Sequence, residues 1–163
     1  MDMKAEAMQF KHAFYDAGER TIYGSYKLDQ DRYSYEQWLE ILDMNLSTET
    51  ANPKFGTSET YFAQNPHGEI VGICNLRHML TPFYQDSGHI GISVQPNSRQ
   101  KGYGKAMLLL LLERARIAGM TEVMLVCSRD NDASRRTILA CGGKLVRKFY
   151  EAKIEKDEFI ISL

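Results

Sequence analysis

The chain has 163 residues, enough for one domain that buries roughly 70% of the surface its unfolded form exposes, so it needs no disulfide or metal to fold. Its 20 Lys and Arg against 21 Asp and Glu leave a net charge of −1, which excludes the broad electrostatic footprint of a nucleic-acid or anionic-membrane binder. Cys74, Cys127 and Cys141 lack metal-ligand and disulfide spacing, and neither the N-terminus nor the leucine run 108–112 approaches the roughly 20 apolar residues of a membrane span; the expectation is a soluble cytoplasmic protein with reduced thiols and no bound metal.

In chain order, Met8, Phe10, Ala13, Phe14 and Ala17 recur at helical spacing and predict a helix from Met3 to about Ala17, stopped by Gly18. The segment 21–33 has no steady period and reads as an ordered loop crossing the entrance to a site, with Tyr23, Tyr26 and Tyr33 as candidate lining. A second helix opens at Ser34 or Tyr35 and turns Trp38, Leu39, Ile41, Leu42 and Leu46 to its apolar side. Turn residues at 51–58 follow. Strands over 60–64 and 69–77, separated by Asn65-Pro66-His67-Gly68, predict an antiparallel hairpin with a solvated His67 at its tip.

In the strand 88–94, Ile90, Ile92 and Val94 alternate with His89, Gly91 and Ser93, giving one apolar and one small, polar face. A long helix then begins near Gly102, with Leu108, Leu111, Leu112, Ala115 and Ala118 as its stripe and Gly119 as its stop. The apolar run 122–127 predicts a strand buried on both faces and parallel to its predecessor. Asp130-Asn131-Asp132 cap a fourth helix that ends at Gly142-Gly143, and strands over 144–150 and 154–161 close the chain.

Arg99-Gln100-Lys101-Gly102-Tyr103-Gly104 places two glycines and two cations where a loop becomes a helix. Free backbone N–H groups there favour an anion, and a pyrophosphate is the expected one. A Walker A loop is excluded because Gly104-Lys105-Ala106 lacks the distant glycine and the hydroxyl; a dinucleotide fingerprint fails because position 107 is Met.

Hairpin, strand, Arg-x-x-Gly-x-Gly corner at Arg99, Gly102 and Gly104, helix, apolar strand, and Asn131 with Ser134 before the next helix resemble, in this order, the GNAT superfamily of acyl-coenzyme A dependent N-acyltransferases. A narrower resemblance, on residues 73–78, 88–91 and 130–135, is to a little-characterised bacterial branch of acetyltransferases. The resemblance implies an α/β (α+β) fold with a mixed, mostly antiparallel central sheet, helices on both faces and a splayed parallel strand pair that binds the coenzyme. It implies a single domain over 1–163, with an acceptor-side helical part over about 1–57 and a coenzyme-binding core over about 58–163. The usual first strand is not legible in residues 1–5.

The implied activity is transfer of acetyl from acetyl-CoA to a primary amine by direct attack in a ternary complex, in a monomer or homodimer, the acceptor being a small molecule or a peptide. The alternative is a non-catalytic acyl-CoA binding module. The N–H groups of Gln100 to Lys105, including those of Lys101, Gly102, Tyr103 and Gly104, would meet the pyrophosphate, with Lys101 and Lys105 adding charge and Arg99 opening the motif. Pantetheine would pair along Ile92–Val94, and the Val94 N–H would polarise the thioester carbonyl as an oxyanion donor. Asn131 and Ser134 would bond pantetheine, and Arg135 or Arg136 stand in reach of a phosphate. His89 and His78 are the two candidate bases, each with the alternative of a purely structural hydrogen bond. Many members carry a proton-donating tyrosine seven residues after the asparagine; here that position is Ile138, so no general acid is assigned.

Overall fold

A computed structural model describes residues 3–163. Helix α1 spans Met3–Asp16 and buries Ala7, Phe10 and Phe14, while the ammonium of its buried Lys11 reaches Asp31 at 2.7 Å. Helix α2, Tyr35–Met44, starts with a capping box between Ser34 and Gln37. Only Trp38 of α2 is buried, and its indole N–H donates to the carbonyls of Ser25 and Tyr26 at 2.9 and 3.1 Å. Trp38 is thus a core residue that also fastens the loop 21–33. Leu39 and Leu46, expected inside, are 44% and 58% exposed: Leu39 lies off the Trp38 side through which α2 leans on the sheet, and Leu46 falls in the turn after the helix has ended.

Strands β1 (Ser58–Gln64) and β2 (Ile70–Arg77) form the antiparallel hairpin, and β3 (Ile90–Val94) adds antiparallel to β2. A 3₁₀ turn at Pro96–Ser98 leads to α3 (Tyr103–Ile117), followed by β4 (Glu122–Ser128), α4 (Asp132–Ala140), β5 (Lys144–Glu151) and β6 (Ile154–Ser162). Two three-stranded antiparallel sheets result, ordered β1-β2-β3 and β4-β6-β5. Successive residues of β2 face opposite layers: Cys74 and Leu76 pack with α3 and α4, whereas Ile73 packs with α1 and Trp38. Helices therefore cover both faces of a mainly antiparallel framework.

Helix α3 buries Met107, Leu108, Leu111, Leu112 and Ala115 against Leu76, Ile90, Val123, Leu125, Ile138, Phe159 and Ile161. Met107 closes this stripe at its N-terminal end; Ala118, expected in it, lies exposed at the C-cap, past the edge of the sheet. Among the described residues no ladder joins β3 to β4. A single bridge, Gly88 to Leu125, ties the start of this strand to β4, and past it an open gap separates the two, the splay expected of the coenzyme-binding pair; β4 takes its ladder partner from β6. Burial along β4 accordingly alternates, with Val123, Leu125 and Cys127 inside and Met124 and Val126 half-exposed. Among the described residues no helix is long and apolar enough to cross a membrane.

Candidate active site

In an antiparallel ladder, alternate residues exchange hydrogen bonds with the partner and the rest turn their peptide groups away. Two bonds fix the phase of β2–β3: Arg77 N–H to the His89 carbonyl at 2.7 Å and Gln95 N–H to the Val71 carbonyl at 2.8 Å. Gly91 and Ser93 therefore face β2, and Ile90, Ile92 and Val94 present their peptide groups to the opposite side. For β4–β6 the phase is set by Arg129 N–H to the Glu155 carbonyl and Leu163 N–H to the Thr121 carbonyl, both at 2.9 Å. This turns Met124 and Val126 outward, toward β3. The two sheets thus confront each other across a cleft walled by outward peptide groups, closed at one end by the Gly88 bridge.

His89 fastens that closed end. Its N–H donates to the Met124 carbonyl at 2.8 Å, and its Nδ1 accepts the Met124 N–H at 2.9 Å. Burial first, and then the Arg77 charge, hold its pKa below the ordinary histidine value. A neutral ring that accepts at Nδ1 carries its proton on Nε2, so it has no lone pair left to take a proton from a substrate. His78 is also engaged: Nδ1 meets the Thr57 hydroxyl at 3.1 Å and Nε2 stands 3.4 Å from Glu59. That carboxylate belongs to a network with Arg114 and Tyr61, and the Arg114 hydrogen bonds, opposed only in part by burial, bring its pKa to about 2.

The small, polar face of β3 is not the open room its residues suggest. Gly24 lies directly on Gly91, so close that a Cβ on Gly24 would stand 2.3 Å from the Gly91 carbonyl oxygen. The loop 21–33 is thereby sealed onto the strand, with Ile22, Ser25, Tyr26 and Leu28 buried and Tyr23 exposed at the rim.

The corner after β3 offers donors without acceptors. Among the described residues, nothing accepts the N–H groups of Gln100 to Lys105; the first bonded amide of α3 is Ala106, which donates to the Gly102 carbonyl. Gly102 holds φ at +85°, and Gln100 also lies in the left-handed region at 62°. A Cβ on Gly104 would touch only Val94 Cγ2 at 3.7 Å, so internal packing does not demand glycine there and the space above the helix start stays free for a ligand. Lys101 donates to the Asn97 carbonyl at 3.3 Å, and Lys105 is exposed and makes no ion pair among the described residues. The Arg99 side chain is turned elsewhere: it grips Glu19 through two bonds of 2.7 Å and the Val94 carbonyl at 3.2 Å. That grip raises the Arg99 pKa and lowers the Glu19 pKa.

At α4, Asn131 caps the helix, its Oδ1 accepting the Ser134 N–H at 3.1 Å, which leaves the exposed side-chain amide N–H₂ able to donate. The Ser134 hydroxyl lies against the Cys127 thiol, whose pKa is raised chiefly by burial. Arg135 approaches the fully buried Asp157 at 2.9 Å and so does not project toward a phosphate, and Arg136 bonds the Asp132 carbonyl of its own helix. Ile138 is 3% exposed inside the core, so that position offers no proton donor. Tyr150 stands 72% exposed on β5. Sequence reasoning missed Glu19, which fixes the Arg99 side chain, and missed Asn45, Arg77 and Tyr84, which stand near the candidate lining residue Tyr26; the one available signal was an arginine at the end of an apolar strand with no acidic neighbour.

An N–H-lined corner at the mouth of a cleft walled by free strand edges defines a protein built to hold an extended, phosphate-bearing acyl carrier. A model of the acetyltransferase (GNAT) family matches residues 17–142. The chain belongs to that family; it is an acyltransferase, and acetyl-CoA is its co-substrate. Comparison with curated proteins gives no match at the sequence level. Among solved structures, a GNAT-family acetyltransferase of Bordetella pertussis superposes with a TM-score of 0.68 at 16% identity, over 98% of this chain and 90% of that one. YncA of Salmonella typhimurium, an acetyltransferase with its cofactor acetyl-CoA, gives 0.66 at 14% identity over 98% and 89%. A variant of the spermidine N-acetyltransferase SpeG of Vibrio cholerae gives 0.63 at 11% identity over 98% and 90%. At these identities the likeness is one of fold.

Proposed function

We propose that the protein transfers acetyl from acetyl-CoA to a primary amine of a small molecule or peptide by direct attack in a ternary complex. The observation that carries this reading is the pairing of free N–H groups at Gln100 to Lys105 with the outward edges of β3 and β4. The pyrophosphate sits at the corner, held by main-chain N–H groups and by Lys101 and Lys105. Arg99 serves the corner indirectly, by tying it to Glu19. Pantetheine runs along β3 from Val94 inward, with the Asn131 amide and the Ser134 hydroxyl on the opposite wall.

Strand residues advance about 3.3 Å each, so an arm entering from the corner passes Val94 first and Ile92 about 7 Å deeper. We assign the Val94 N–H to the arm and the Ile92 N–H to the thioester carbonyl, where a fixed donor stabilises the developing oxyanion. This moves the oxyanion donor inward from the position expected on resemblance.

Both histidines are engaged, so the amine reaches the thioester already neutral, its ammonium proton having left to water. Nitrogen attacks the carbonyl carbon, the C–S bond breaks, and the remaining proton passes from nitrogen through water to sulfur. A thiolate is a weak enough base to leave without a side-chain acid. Incubation of the protein with acetyl-CoA and an amine panel tests the reading by release of free thiol. Silence across polyamines, amino acids, aminoglycosides and peptides would overturn it.

A further inference from the structure

Resting on that reading, we infer that the acceptor amine carries a carboxylate, bound by Arg77 and Asn45 beside the closed end of the cleft. Arg77 ends β2, directly opposite His89. Its Nη1 donates to the Gly88 carbonyl at 2.9 Å, its guanidinium lies 4.0 Å from the centre of the Tyr84 ring, and its buried Nε has no acceptor. Asn45, the C-cap of α2, is 3% exposed, and its Nδ2 is likewise buried without an acceptor. The phenol of the buried Tyr26 is close enough to both to feel Asn45 and Arg77, together with Tyr84 and Tyr33.

No carboxylate among the described residues pairs with Arg77. The other cations drawn into the protein each have one: Lys11 has Asp31, Lys156 has Glu151 and Arg135 has Asp157. The nearby Asp86 is held by Arg147, which it shares with Glu158. An inward guanidinium without a counter-charge is costly, and its own orphaned Nε and the orphaned Asn45 Nδ2 add to that cost. The planar donor fork of arginine suits a carboxylate above other ligands. Elements that the acceptor would meet supply this group: the loop 21–33, the end of α2 and the segment 81–87. With the carboxylate there, an amine a few bonds away reaches the edge of β3 at Ile90 and Ile92, as in an α-amino acid.

The test uses the intact protein with acetyl-CoA and matched acceptors: an amino acid, its decarboxylated amine and its carboxamide. The carboxylate member should be preferred by at least about 30-fold in kcat/KM. Arg77→Gln should abolish that preference through KM of the acid, lowering kcat/KM for the acid far more than for the decarboxylated amine, and Arg77→Lys should restore part of it. Equal or better turnover of the uncharged members, or a preference that survives in Arg77→Gln, overturns the inference while leaving the acetyltransferase reading intact. The wild-type comparison stands even if Arg77→Gln fails to fold. If no amine releases thiol, thermal shift of the wild type with coenzyme A and each acceptor decides; no added shift from any carboxylate-bearing member overturns it.

Discussion

Gly104 and His89 show how one side chain, or its absence, sets what the cleft can do. A methyl group at 104 meets only Val94 Cγ2, so Gly104→Ala should leave both melting temperature and coenzyme affinity nearly unchanged. Gly104→Trp fills the space assigned to the pyrophosphate; it should keep the fold and lose coenzyme binding, measured by calorimetry. For His89 the folded pKa is depressed, so its contribution to stability is present above the unfolded value of about 6.5 and is lost as pH falls toward the folded value. Melting temperature should drop below about pH 6.5 in the wild type and less in His89→Gln. Turnover should behave differently: with a series of amines, log kcat/KM should rise with unit slope up to the pKa of each free amine. A break near 6.5 common to all of them, lost in His89→Gln, would return the base to that histidine.

At the scale of elements, the junction of the two sheets depends on very little. Gly88 holds φ at +78°, and a Cβ there would stand 2.8 Å from the Met124 carbonyl oxygen. Gly88→Ala should therefore prise β3 from β4, lowering stability by roughly 1–3 kcal/mol and weakening coenzyme binding, readable as a lower denaturant midpoint and a higher Kd. The glycine corner, the hairpin and the α3 stripe are legible in the sequence because each is a local pattern: turn residues, a period of two, a helical period. The partner of Arg99 is not, since Glu19 lies 80 positions away. Nor is the filled face over Gly91, which depends on where the loop 21–33 crosses. Periodicity also overstates burial: Leu39 keeps the helical spacing of α2, yet it stays exposed, and Leu46 lies past the helix end where the spacing no longer applies.

For the whole molecule, the family follows from order and spacing along the chain, whereas the proton path and the acceptor site follow from contacts between distant segments. Arg77 stood inside a recognisable stretch, residues 73–78, but only the fold reveals that no acid among the described residues pairs with it. Among the described residues the two sheets share a helical layer and meet at a single bridge, so a ligand laid in the cleft adds contacts where the sheets have fewest of their own. Saturating acetyl-CoA, at a hundred times its Kd, should raise stability by about 2.7 kcal/mol. Hydrogen exchange should slow chiefly at Ile92, Val94 and the amides of Gln100 to Lys105; uniform protection across β5 and β6 instead would mean the ligand lies elsewhere.

The facing edges of β3 and β4 have one more consequence. An unpaired strand edge is a template for another strand, and proteins ordinarily cover or charge such edges. Past the Gly88 bridge the outward residues are Ile90, Ile92, Val94, Val126 and Ser128, without a charge among them; the outward charge of β4, Glu122, precedes the bridge. A bound pantetheine arm would occupy those peptide groups as a short surrogate strand, making the co-substrate a guard against self-association as well as a reactant. Free protein held warm and concentrated should become turbid sooner than the same protein with coenzyme A, by a margin larger than its gain in melting temperature accounts for.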